Sequence, residues 1–228
     1  MPVFRKIRAG GHEEVMDAPI ERLVLGGLTG SPESVRKHLA ELEEIGVRAP
    51  KTAPVFFRLS ANLVTDASSI QVLGSKTSGE VEPLLLFLPD GVWIGVGSDH
   101  TDREAEKIDI NLSKQLCPKP VGTDIWPLSE VSDHWSSLII RSHIVEEGRH
   151  VLYQEDSLAE ILHPDILFGK LPEDFRSLPS GTAFMCGTPP ARGGIRPAQC
   201  FEMELEDPVL KRCIRHAYDI VPLIHERF

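Results

Sequence analysis

Gly79-Glu80-Val81-Glu82-Pro83-Leu84-Leu85-Leu86-Phe87-Leu88 runs into Pro89-Asp90-Gly91 and returns through Val92-Trp93-Ile94-Gly95-Val96-Gly97-Ser98-Asp99. Short apolar segments on either side of an Asp-Gly pair read as a β-hairpin, with strands over 80–88 and 92–97. Residues two apart on a strand share a face, so Glu80 and Glu82 project side by side. Two neighbouring anions repel unless a cation lies between them or one takes a proton. A solvated strand face is the ordinary reading of an isolated Glu-x-Glu. Here the returning strand ends at Asp99, which brings a third carboxylate towards the pair. Three carboxylates without a thiolate suit a hard divalent cation, Mg2+ or Mn2+, with Ca2+ also admitted.

Outward from this hairpin the chain is rich in short strands. Val55–Leu59 and Ile70–Leu73 are apolar, β-branched and bounded by Pro, Asn or Gly. Ser137–Glu146 and Arg149–Gln154 flank Glu147-Gly148 as a second hairpin, and Thr182–Cys186 and Gln199–Leu205 complete the expected strands. Strands are expected from residue 54 onward. One helix precedes them: Ser31 is placed to cap it, Pro32 suits its first position, and Glu33 favours its positive end. Val35, Leu39, Leu42 and Ile45 form its apolar stripe and Gly46 its stop. A short second helix is expected from a Ser157 cap through Leu162. Without regular strand-helix alternation, the pattern predicts an α+β fold, mainly β, around a rolled or sandwiched sheet.

Composition narrows the function classes. The chain has 228 residues, 24 Lys plus Arg, 34 Asp plus Glu and a net charge of −10, which argues against nucleic acid or an anionic membrane as partner. Aromatic residues make up 6%, too few for a base-stacking platform. The longest apolar run, Leu84–Leu88, is far shorter than a membrane span, and no signal-peptide core follows the basic start. Cys117, Cys186, Cys200 and Cys213 contain no Cys-x-x-Cys pair, and they are expected as reduced thiols of a cytoplasmic protein. The histidines show no His-x-x-x-His spacing with an intervening Glu, which weakens a zinc-hydrolase reading. The composition leaves an enzyme or a small-ligand binder.

Several further segments gain meaning from their order. His38 lies within the helix stripe and Glu41 at its edge, three residues on. That spacing puts an imidazole and a carboxylate within reach, although a lone His in such a stripe is as readily a packed core residue. His100-Thr101-Asp102-Arg103-Glu104-Ala105-Glu106 follows Asp99, and its acidic residues also suit a helix N-terminus. Lys119-Pro120-Val121-Gly122-Thr123 and Cys186-Gly187-Thr188-Pro189 read as turn-rich connections.

Taken together, from about residue 23 to the C-terminus, the sequence resembles the fumarylacetoacetate hydrolase superfamily. Glu80 and Glu82 stand at the family's E-x-E, and Ser98–Glu106 at its [ND]-D-x-[ST]-A-R-D-x-Q segment. Lys119–Thr123 stands at its K-x-x-G-T/S segment, and Gly187-Thr188-Pro189 at its T-G-T-P turn. The lid motif H-x-x-E is matched by His38 and Glu41, and a P-x-x-F-x-K-like strand by Pro54–Arg58. Asp102 replaces the usual Ala, Glu106 the usual Gln and Arg58 the usual Lys.

The resemblance implies a mixed β-sandwich roll with a few short helices, in one domain over 1–228. Residues 1–50 would form an N-terminal segment with the lid helix, and 51–228 the β-roll catalytic core. It also implies a homodimer acting on a small-molecule carboxylate substrate. Glu80, Glu82 and Asp99 would hold the metal. His38, Glu41, Lys119 and Arg103 would be catalytic, and Arg58, Thr123 and Thr188 would bind substrate. The implied reaction is hydrolysis of a C–C bond in an acylpyruvate-like 2-oxo acid through a metal-stabilised enolate. Decarboxylation, hydration or tautomerisation of a 2-oxo acid, or non-catalytic binding on the same fold, are the alternatives.

Overall fold

The computed structural model describes residues 2–44, 46–47, 50 and 52–223. The chain opens with strands β1 (Val3–Ile7), β2 (Glu13–Asp17) and β3 (Arg22–Gly27), followed by helix α1 (Pro32–Glu44). Next come β4 (Val55–Leu59), β5 (Val64–Thr65), β6 (Ser69–Leu73) and β7 (Thr77–Ser78). The central hairpin is β8 (Val81–Leu88) and β9 (Gly91–Ser98), and β10 (Thr101–Asp102) leads into helices α2 (Arg103–Glu106) and α3 (Ile110–Gln115). β11 (Lys119–Pro120), β12 (Asp124–Pro127), the hairpin β13 (Ile139–Glu146) and β14 (Arg149–Ser157), and helix α4 (Pro164–Gly169) follow. The chain closes with β15 (Thr182–Met185), β16 (Cys200–Asp207) and β17 (Arg212–Leu223).

An eight-stranded mixed sheet runs in the order β2-β1-β12-β9-β8-β15-β3-β4, and a five-stranded sheet in the order β14-β13-β16-β17-β6. The strand-rich α+β class with few short helices is what the structure has. The expectation that strands begin at residue 54 is corrected, because β1, β2 and β3 precede it and β3 pairs with both β15 and β4. The first 50 residues thus build the large sheet itself as well as carrying α1. β3 was missed because Arg22–Gly27 ends in Gly26-Gly27, which reads as a turn rather than a strand end. β17 was missed because its solvent side carries Arg215 and Asp219 and only Ile214, Tyr218 and Ile220 are fully buried, which obscures its period.

β8 lies between two apolar layers. Leu84, Leu86 and Leu88 join Leu23, Leu25 and Met185 on one face. Val81 and Leu85 join Ile140, Phe201, Leu205 and Ile214 of the five-stranded sheet on the other. Burial on both faces is why the strand reads as an unbroken apolar run instead of an alternation. Both expected hairpins form. Asp90-Gly91 turns the first, with Gly91 at φ 132°, and Glu147-Gly148 turns the second with φ of 50° and 75°.

Helix α1 starts where its sequence signals say. The Ser31 hydroxyl accepts from the Ser34 amide at 3.2 Å, and Gly46 follows its end at φ 83°. Ile45 lies outside the described residues, as do the side chains of His38, Glu41 and Leu42. Ser157 caps a single 3-10 turn, Leu158–Glu160, shorter than the helix expected there. The cysteines are free, and no helix among the described residues is long and apolar enough to cross a membrane.

The approach to the Glu80-Val81-Glu82 segment is sterically set at Gly79, where an added Cβ would sit 2.7 Å from the Phe201 ring. That ring is fully buried and packs against Tyr153 and Tyr218, so it has nowhere to retreat. Gly79→Ala is therefore expected to destabilise the protein by about 1–3 kcal/mol through overpacking, read as a lowered urea midpoint. An unchanged midpoint would show that the contact yields freely.

Candidate metal centre

The hairpin register assembles the acidic group. Val81 pairs with Ser98 and Glu82 with Gly97, and the Asp99 amide donates to the Glu80 carbonyl at 2.9 Å. Glu80 and Asp99 therefore face each other across the open end of the hairpin, with Glu82 two residues along the same face. Ligand-capable oxygens of Glu80, Glu82 and Asp99 all lie within 4.8 Å of one another. The residues are 6%, 2% and 1% exposed, which removes the solvated-face reading of the Glu-x-Glu pair.

Three cations surround them. The Arg103 guanidinium, on α2, meets Glu80 at 3.1 Å and Glu106 at 2.7 Å and donates to the Ser78 hydroxyl at 2.7 Å. Lys114, on α3, pairs with Asp99 and approaches Glu80 at 3.7 Å. Lys119, fully buried on β11, donates to the His100 carbonyl at 2.5 Å and meets the other Asp99 oxygen at 3.2 Å. Burial works against the charge on Arg103 and Lys114, but Glu80 with Glu106, and Asp99 with Glu80, hold both above their ordinary values. On Lys119 burial prevails over Asp99 and the ammonium is held below its ordinary value.

With Glu106 included, four buried carboxylates face three cations, one negative charge in excess. Glu82 carries the imbalance. Burial, then the neighbouring Asp99 and Glu80 charges, push its carboxyl well above the usual range, although the Gly187 amide donates to it at 2.7 Å. His100 is not a free base beside this group. Its ring nitrogens bond the Tyr218 hydroxyl at 3.0 Å and the Thr77 hydroxyl at 2.9 Å, and burial with nearby Lys119 and Arg103 pushes it well below its ordinary value.

A cavity opens over the acidic group, lined by Glu80, Glu82, Asp99, Glu106 and Lys114. The end of β3 and its connection to α1 supply Gly26 to Gly30, and α1 supplies Ser34 and Val35. Leu28 holds the left-handed φ of 54°, a conformation that costs a non-glycine residue on the order of 1 kcal/mol or more. Gly187, at φ 105°, is required at its place: an added Cβ would lie 2.0 Å from the Thr29 hydroxyl oxygen, itself bonded to the Cys186 carbonyl. Thr188 lines the cavity, where its hydroxyl donates to the Val81 carbonyl at 2.9 Å and accepts from Gln154 at 2.7 Å.

The structure thus gathers Glu80, Glu82, Asp99, Arg103, Lys119 and Thr188 at one place. It does not bring Arg58 or Thr123 there. On β4, Phe57 lines the cavity, so its neighbour Arg58 points to the opposite, exposed side. Thr123 lies beside β1, its carbonyl accepting from the Arg5 amide at 2.8 Å. His38 and Glu41 lie on α1, whose first turn lines the cavity, and their side chains are outside the described residues.

Both acidic departures have structural roles: Asp102 caps α2 by accepting from the Glu104 and Ala105 amides at 3.0 Å, and Glu106 pairs with Arg103. Lys114 and Gln154 had gone unnoticed. Lys114 lies in no recognisable spacing, and its one trace in sequence is a lysine five residues before Lys119. Gln154 accepts from the Val81 amide and the Ser142 hydroxyl, a hub that only the folded sheets create.

The donor set fits a divalent cation. All three ligand-capable groups are hard oxygen donors, buried together with surplus negative charge, and no thiolate joins them. A +2 charge would turn the local excess from one negative to one positive and favour an anionic ligand.

A family model described as "Protein of unknown function (DUF2848)" matches residues 27–218. No curated protein matches. Among solved structures, a protein assigned to the fumarylacetoacetate hydrolase family from Yersinia pestis CO92 superposes with a TM-score of 0.63 at 19% identity, over 96% of this chain and 100% of that one. The 5-carboxymethyl-2-hydroxymuconate delta-isomerase from Mycobacterium smegmatis gives 0.64 at 15% identity, over 94% and 87%. A 2-keto-3-deoxy-D-arabinonate dehydratase complexed with magnesium and 2,5-dioxopentanoate gives 0.63 at 16% identity, over 92% and 76%. These likenesses show a shared fold.

Because folding raises Glu82 above its ordinary value, ionising it costs stability, and that cost grows as pH rises from the unfolded towards the folded value. Glu82→Gln keeps an acceptor for the Gly187 amide and removes the cost. Calorimetry of the metal-free proteins should find the variant more stable in mildly alkaline solution, with the difference closing in acid. A variant less stable than wild type in alkaline solution would contradict the electrostatic account.

Proposed function

The chain belongs to the DUF2848 family of proteins of unknown function, and on the fumarylacetoacetate hydrolase-type fold it adopts we propose that it is a divalent-metal-dependent enzyme acting on 2-oxo acids. The reaction that best suits the site is hydrolysis of the C–C bond of an acylpyruvate. What carries this reading is the convergence of three buried carboxylates on the floor of a cavity that also presents an ammonium group. Mg2+ or Mn2+ bound there supplies Lewis acidity towards the adjacent carboxylate and keto oxygens of a 2-oxo acid.

The chain's own residues supply the rest. Lys114 faces the cavity, with Arg103 and Lys119 behind the carboxylates, and together they offset negative charge developing on the departing pyruvate fragment. To His38, three residues before Glu41 on α1, we assign the role of taking the proton from the attacking water, with Glu41 as the partner that this spacing offers. Thr188 orients the substrate carboxylate by turning towards it the hydroxyl proton that otherwise bonds the Val81 carbonyl. Leu28, Val35, Val55, Phe57 and Ile110 make much of the remaining lining apolar, which suits an alkyl acyl chain. A second reading, loss of water from a 2-oxo acid, is favoured by the likeness to the dehydratase complexed with magnesium and 2,5-dioxopentanoate.

Purified protein with Mg2+ or Mn2+ should cleave alkyl acylpyruvates to pyruvate and a carboxylic acid, seen by NMR as two separate carbon fragments. Glu82→Gln and His38→Ala should each lower kcat by at least about 100-fold. Equal rates in all three proteins would sink the assignment, and loss of water from a hydroxylated 2-oxo acid, with acylpyruvates left intact, would transfer it to the dehydratase reading.

A further inference from the structure

The three cations of the site are not held alike. Arg103 is anchored independently of the carboxylate triad, by the Ser78 hydroxyl and Glu106. Lys119 is anchored by the His100 carbonyl, is fully buried and stands behind the cavity wall. Lys114 differs on both counts. Its hydrogen-bond and ion-pair partners among the described residues are Asp99 and Glu80, both members of the triad. It also lines the cavity, with its ammonium 5.7 Å from the centre of the Phe57 ring. A four-carbon stem at the penultimate residue of the short helix α3 gives that ammonium room to turn while the backbone stays in place.

Resting on the divalent-metal reading, we propose that Lys114 is a tethered counter-cation that competes with the metal for Asp99 and Glu80 and, once displaced, contacts the anionic ligand in the cavity. Two cations cannot share the same carboxylate oxygens at full strength, so an ion entering the triad weakens the Lys114 pairs. The released ammonium already borders the space in which a 2-oxo acid would lie. Lys114 thereby lowers metal affinity in the empty protein and raises anion affinity in the loaded one.

The probe is Mn2+ alone, followed by electron paramagnetic resonance with the full chain, and then oxalate added to the Mn2+-loaded protein and followed by calorimetry. Lys114→Met should bind Mn2+ about tenfold tighter or more than wild type, and its loaded form should bind oxalate at least about tenfold more weakly. Lys114→Arg, which keeps the charge, should stay near wild type in both measurements, and Lys114→Gln provides a second neutral variant should Lys114→Met fold poorly. Unchanged or weaker Mn2+ binding in the neutral variants would overturn the competition, leaving Lys114 as a packing residue. Tighter Mn2+ binding with unaltered oxalate affinity would overturn the anion contact. If neither wild type nor the neutral variants bind Mn2+, the divalent-metal reading itself fails, an outcome separate from the other two.

Discussion

Mutual repulsion among Glu80, Glu82 and Asp99 is the constraint around which this half of the molecule is arranged. The β8–β9 register places all three on one face at the open end of a hairpin whose two faces are both inside the protein. Water cannot screen them there, so the fold must bring charge of the other sign or let one carboxyl hold a proton. It does both. α2, α3 and β11 each deliver one cation, and Glu82 is held well above its ordinary value by burial and its two anionic neighbours. Packing that contains so many buried ionic groups contributes little to stability by itself, since desolvation offsets most of the attraction. Its place in the fold is better explained by what the group can bind.

The surrounding backbone is shaped to the same end. Gly187 takes a conformation closed to other residues, which aims its amide at Glu82 and leaves room for Thr29. Leu28 accepts a left-handed φ at the cavity wall, and Gly79 lets β8 start flush against Phe201. Gln154 ties the second sheet to both Val81 and Thr188, so the two layers meet at the site. Strain and close approach concentrate around the acidic group, as expected where geometry serves binding rather than stability.

Much of this was legible in the amino-acid order. The Asp-Gly turn fixes the hairpin register, and that register alone brings Asp99 opposite Glu80. The α1 start was legible because capping is local chemistry. Arg58 shows the limit: a motif can place a residue on a strand, but which face it presents depends on the neighbouring strand, and β3 was itself unrecognised. Phe57 went in and Arg58 out. The acidic residues after Asp99 suited a helix N-terminus, and Asp102 caps α2 there, but the pairing of Glu106 with the Arg103 guanidinium exists only once the chain folds. Lys114 was invisible for the same reason, since its contact with Asp99 spans fifteen residues and no repeating period.

The most direct test of the central claim is anomalous diffraction from crystals grown with Mn2+. The account requires a single strong peak within bonding distance of carboxylate oxygens of Glu80, Glu82 and Asp99. Saturating Mn2+ with no peak among them, and with Asp99 still paired to Lys114 and Lys119, would contradict it.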